Sequence, residues 1–167
     1  RWKHHAPLRE DCMQVKDHLE AKQVGPLHHL ADLEKMEFIL HTHSLAARNY
    51  NKISATRSKH LQDYLGVGAM PIFKIELDGD KLSNKFKIAP HKFKSKTNVS
   101  MEEFEEVIDT HKIQNLSTFV KAIHVSKTKL EQFRKLFGDD EWDRRELEKL
   151  DAVMSNLHIL GNVKITK

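Results

Sequence analysis

Six lysines, Lys81, Lys85, Lys87, Lys92, Lys94 and Lys96, lie in a stretch without Asp or Glu and are interleaved with Phe86 and Phe93. Ammonium groups displace counterions from a polyanion and aromatic faces stack on bases, so this composition suits a nucleic-acid contact; it suits a solvated hairpin face as well. Twelve histidines raise the question of a metal. His41 and His43, two apart on an expected helix, point about 200° away from each other, and the neighbours His4-His5 and His28-His29 have the same difficulty. There is no HExxH, CxxC or Cys/His quartet, so neither a metal nor another cofactor is expected. The carboxylate row Glu102, Glu105, Glu106 and Asp109 reads as the solvated face of a short helix. Gly66-Val67-Gly68 follows a helix rather than a strand, and Asp78-Gly79-Asp80 lacks the later carboxylates of a calcium loop. With no phosphate loop and no nucleophile elbow, the chain is expected not to be an enzyme.

The net charge of +4 is unevenly spread: +2 over residues 1–66, +4 over 67–99 and −2 over 100–167. The centre carries the basic bias. With 39% hydrophobic residues, 6 Gly and 4 Pro, the 167 residues can bury a core and are neither collagen-like nor of low complexity. A lone cysteine, Cys12, excludes an internal disulfide, and no run is long enough for a membrane helix. Beginning at Arg1, the chain is expected to be trimmed, and a removed targeting peptide would leave no trace.

These side chains need elements to hold them. Leu8, Cys12, Val15 and Leu19 fall on one helical face over residues 8–23, which Gly25-Pro26 ends. From His29 to Leu65 there is neither Pro nor Gly, and Met36, Leu40, His43, Ala47, Tyr50, Ile53, Leu61 and Tyr64 recur near every 3.5 residues. One continuous helix would span about 55 Å and expose a stripe that a coiled-coil partner must cover, with these residues as the oligomer interface. Two helices broken near Asn49–Asn51 and folded on each other fit the pattern as well. Residues 71–77 and 85–88 alternate apolar and charged positions about Asp78-Gly79, which predicts a β-hairpin carrying Lys74, Lys85 and Lys87 on its outer face. Residues 89–98 read as a basic connector. Ser100 and Glu103 form a capping box for a helix over 101–112; Asn115 or Ser117 opens a second helix through Ile123, Ser126 a third ending at Gly138, and Asp139 or Asp140 a fourth. Residues 157–165 predict a short strand pair, or one strand added to the hairpin.

Phe119, Ile123, Val125, Leu130 and Phe133, with Ser126 at a helix start, stand where two helices meeting through a tight turn bury their apolar residues. Over residues 101–137 the chain thus resembles the helix-turn-helix superfamily at the level of the motif. It departs from that pattern at Val120, where a small residue is usual, and at His124, where the turn usually has Gly. The resemblance implies a docking helix presenting Lys127, Lys129, Gln132, Arg134 and Lys135, with lysines on phosphates and Gln132 or Arg134 at base edges.

The expected fold is mainly α with a small β component: a helical region for oligomerisation or partner binding over 1–66, a basic β-hairpin and linker over 67–99, and a helix-turn-helix-like module over 100–167. The expected function is non-enzymatic binding of nucleic acid, DNA or RNA, by an intracellular dimer. The alternative is a scaffold subunit of a larger assembly, ribonucleoprotein included, that binds a helical partner protein through the long helix. No membrane partner is expected.

Overall fold

A computed structural model of the chain describes residues 24–47, 52–57, 71–90, 106–138 and 140–166. Among them are nine strands in three sheets and four helices, a mixed α/β fold rather than a mainly helical one. In chain order these are β1 (Pro26–Ala31), α1 (Leu33–Thr42), β2 (Leu45–Ala46), β3 (Ile53–Ala55), β4 (Phe73–Asp78), α2 (Gly79–Lys85), β5 (Ile88–Pro90), β6 (Glu106–Ile108), β7 (Lys112–Ile113), β8 (Val120–Ser126), α3 (Lys127–Leu136), α4 (Glu141–Asn156) and β9 (Val163–Thr166).

The main sheet has the order β1-β4-β8-β9, antiparallel except for the parallel pair β8 and β9. Strand periodicity gives it two unlike faces. Leu27, His29 and Ala31 of β1 stand beside Phe73, Ile75 and Leu77 of β4, and these beside Ile123 and Val125 of β8. All are buried, and they form the core together with Met36 and Ile39 of α1 and Leu150 and Val153 of α4. The other face carries His28, Lys74, Glu76, His124, Ser126, Lys164 and Thr166. A second sheet, β3-β6-β5, joins the first through a bridge in which His28 and Thr56 exchange backbone hydrogen bonds at 2.7 and 2.9 Å.

The long helix or coiled coil over 29–65 is overturned. Asp32 caps α1 by accepting from the Lys35 amide, and the helix stops at His43, which turns left-handed at φ 53° and donates its N–H to Ile39 O at 2.8 Å. The apolar stripe of that segment is used within the chain: Met36 is buried on α1, Leu40 packs beside the core, Ile53 is buried on β3 and Ala47 is half-buried. His43 is exposed, and Tyr50, Leu61 and Tyr64 lie outside the described residues.

The hairpin at Asp78-Gly79 is also corrected. Asp78 is a helix cap whose carboxylate accepts from the Asp80 and Lys81 amides, so α2 follows β4 directly. A Cβ at Gly79 would collide with Gly25 O and the Val24 side chain, which is why a glycine opens this helix. The strand at 88–90 pairs with β6, not with β4.

The helix-turn-helix geometry fails at its first helix and its turn. Residues 116–118 make one 3₁₀ turn and 120–126 a strand, with His124 extended in its middle. In place of the C-terminal part of the 101–112 helix, the chain has β6 and β7; residues 101–105 and the expected 8–23 helix lie outside the described residues. Helices do begin at Ser126 and Asp140, each side chain accepting from the amide three residues on, at 3.2 and 2.8 Å.

Candidate functional site

The polar face of the main sheet is where chemistry-bearing side chains converge. Register sets His28 beside Glu76 on neighbouring strands, and Lys74, His124 and Lys164 in one rung across β4, β8 and β9. The register shifts between Glu76 and Leu77, so β8 accommodates an extra residue beside the site, at Lys121. His124 Nε2 lies 3.0 Å from Glu76 Oε1, and His28 Nε2 lies 3.7 Å from the same oxygen. The side chains of His28, Glu76 and His124 are 3%, 22% and 15% exposed, so the cluster is covered on the His28 side and open to solvent at Glu76 and His124.

Burial pushes the His28 imidazolium down to about 4, helped by the nearby Lys74 ammonium, so the ring is neutral at pH 7. At Glu76 burial acts in the opposite sense, favouring the protonated form. The hydrogen bond with His124, with the positive charges that His28, His124 and, least, Lys164 bring beside it, outweighs burial and holds the carboxyl below its usual value. An ionised carboxylate flanked by two imidazoles can orient a proton on His124, or share a cation with both rings. His29, next along β1, points the other way: its Nδ1–H donates to Ser54 O at 2.6 Å, and its Nε2 is buried without a hydrogen-bond partner.

Strand β8 runs from this face directly into α3. Ser126, buried at the end of the strand, caps the helix by accepting from the Lys129 amide, so the remaining N–H groups of the first turn and the Lys127 and Lys129 side chains begin where the polar face ends. Lys127 is exposed and Lys129 half-buried. Gln132, Arg134 and Lys135 are exposed further along, with Arg134 paired to Asp151 at 3.0 Å. No residue of α3 is buried, so its outer surface is available to a partner. Phe133, Phe137 and Trp142 make successive tilted ring contacts at 4.5 and 5.8 Å between centroids, Trp142 being exposed.

Of the lysines singled out in the sequence, Lys74 lies buried on the polar face rather than outward, and Lys85 and Lys87 lie at and just after the end of α2. Lys92, Lys94 and Lys96 lie outside the described residues. Lys164, His28, Glu76 and His124 were not anticipated as a site, because the strands joining them are far apart in sequence; the alternation of polar side chains along β4 was the available signal. No protein-family model matches the chain, and a search of the curated proteins finds no similar sequence.

Proposed function

We propose that the protein binds nucleic acid through its phosphates, on the surface formed by the polar face of the main sheet and the first turn of α3. The observation that carries this reading is the continuity of β8 with α3. It puts Lys164 beside His124, and Lys127 and Lys129 on the helix whose cap, Ser126, is two residues further along the same strand face. Phosphate oxygens are met by ammonium groups and by the helix N-terminal N–H groups together, a combination that binds anions without base recognition. Arg134, Lys135 and Gln132 extend the surface along α3. Helix α4 limits it, since Glu141, Asp143, Glu146, Glu148 and Asp151 make that neighbour acidic.

This differs from the helix-turn-helix mode in that α3 acts through its N-terminus beside a sheet, not as the second helix of a tight helical pair. The scaffold alternative rested on a long free helix and on the acidic C-terminal third; of these, the helix is replaced by the short α1, packed in the core. Among the described residues, no helix is long and apolar enough to cross a membrane.

Fluorescence anisotropy with labelled single-stranded and duplex oligonucleotides tests the proposal. Binding at low salt that weakens on combined Lys127→Ala, Lys129→Ala and Lys164→Ala substitution supports it. No binding to any oligonucleotide at low salt, or equal binding by the triple variant, contradicts it.

A further inference from the structure

We propose that His28, Glu76 and His124 form a binding site for a divalent first-row transition-metal ion. One ligating atom from each of the three side chains lies within 4.8 Å of the others. Donors held ~2.0–2.1 Å from a common ion stand roughly 3.0–3.4 Å apart, depending on whether its geometry is octahedral or tetrahedral. The separations of 3.0 Å from His124 and 3.7 Å from His28 to the same carboxylate oxygen bracket that requirement. Small rotations of the three side chains bring them onto an ion without moving the strands.

The donor chemistry selects the ion. Two imidazole nitrogens and one carboxylate oxygen suit zinc or ferrous iron, whereas magnesium and calcium prefer all-oxygen shells. Metals are ligated by unprotonated imidazole nitrogens and by carboxylates, and the three side chains offer two of the first and one of the second at one place. In the metal-free chain His124 Nε2–H donates to Glu76 Oε1 at 3.0 Å; an ion bound between them takes the place of that proton. Lys74 and Lys164 oppose a dication electrostatically, so affinity depends on Glu76 remaining charged. Three protein donors leave at least one coordination position for water or another small ligand, and the exposed edge at Glu76 and His124 provides the route in.

The site stands independently of the nucleic-acid reading, and so does its test. Chelator-treated full-length chain is titrated with zinc chloride by calorimetry without any oligonucleotide, with magnesium chloride as the comparison cation. One zinc per chain is expected, with no matching response to magnesium. Glu76→Gln and His124→Ala should each weaken zinc binding by more than ~100-fold, beyond the loss that changes outside the ligand set produce. His158→Ala, on the exposed C-terminal side of α4, and the Lys127→Ala, Lys129→Ala pair should leave it unchanged. Because a variant can lose the fold, NMR of the wild-type chain supplies a second measurement: one equivalent of zinc should shift the ring protons of both His28 and His124. The site is ruled out by no stoichiometric binding at micromolar protein, by binding that Glu76→Gln and His124→Ala leave intact, or by zinc that leaves both rings unshifted.

Discussion

His28 and His29 are neighbours in sequence and opposites in environment, because a strand turns successive side chains to opposite faces. His28 faces Glu76 and His124; His29 enters the core and donates to Ser54 O. Burial lowers both, His29 to about 3 with Lys35 adding to the effect, and His28 to about 4. Their folded-state values lie below the unfolded value near 6.5, so the unfolded chain takes up protons first as pH falls. Stability of the metal-free chain should therefore be flat above about pH 6.5. Below that it should decline by up to ~1.4 kcal/mol per pH unit for each histidine, until their folded values are reached. Glu76, depressed in the folded state, adds a loss in the same direction at lower pH. Urea denaturation between pH 8 and 4.5 measures this; a midpoint independent of pH would show that neither ring is buried as a neutral base. Nothing in the spacing of the twelve histidines showed this arrangement. The metal motifs readable in sequence are local, whereas His28, Glu76 and His124 are brought together only when three distant strands pair.

At the scale of elements, the caps were legible and the strands were not. Ser126 and Asp140 open α3 and α4 because a side-chain oxygen satisfies an otherwise free amide, a local interaction that sequence displays directly. Strand β8 escaped notice because it lies between β4 and β9, with its core face covered and its polar face only partly open, at His124. Ala122, Ile123, Val125 and Ser126 are all buried, so the alternation that marks a half-exposed strand is missing. The apolar spacing that remained matched a helical pair. Asp78-Gly79 misled for a related reason: the same dipeptide serves a hairpin turn and a helix start, and only the Gly25 carbonyl packed against Gly79 decides between them. His124→Gly separates the two readings of this region. A turn at 124 is stabilised or unaffected by glycine, whereas a central strand loses the bond to Glu76 and gains backbone freedom. Thermal denaturation should show destabilisation of about 1 kcal/mol or more. An unchanged or raised melting temperature would contradict the strand.

At the scale of the whole molecule, the run from His29 to Leu65 suggested an oligomer because no glycine or proline interrupts it. The interruption is made instead by His43 in a left-handed conformation, which a non-glycine residue adopts uncommonly and sequence does not announce. Met36 and Ile53 then bury within one chain, and the polar sheet face with α3 is the surface to which we assign nucleic-acid binding. The positive charge of that surface comes from Lys127 and Lys129 of α3 and Lys164 of β9, none of which belongs to the lysine-rich centre. The most direct measurement is the salt dependence of oligonucleotide binding by the wild-type chain and by the Lys127→Ala, Lys129→Ala, Lys164→Ala variant. If all three lysines contact phosphates, the slope of log affinity against log salt should become shallower by roughly 2–3, from about 0.7 per contact on a single strand to 0.9 on a duplex. Equal slopes, or no binding by the wild-type chain at low salt, would contradict the assignment of this surface to nucleic acid.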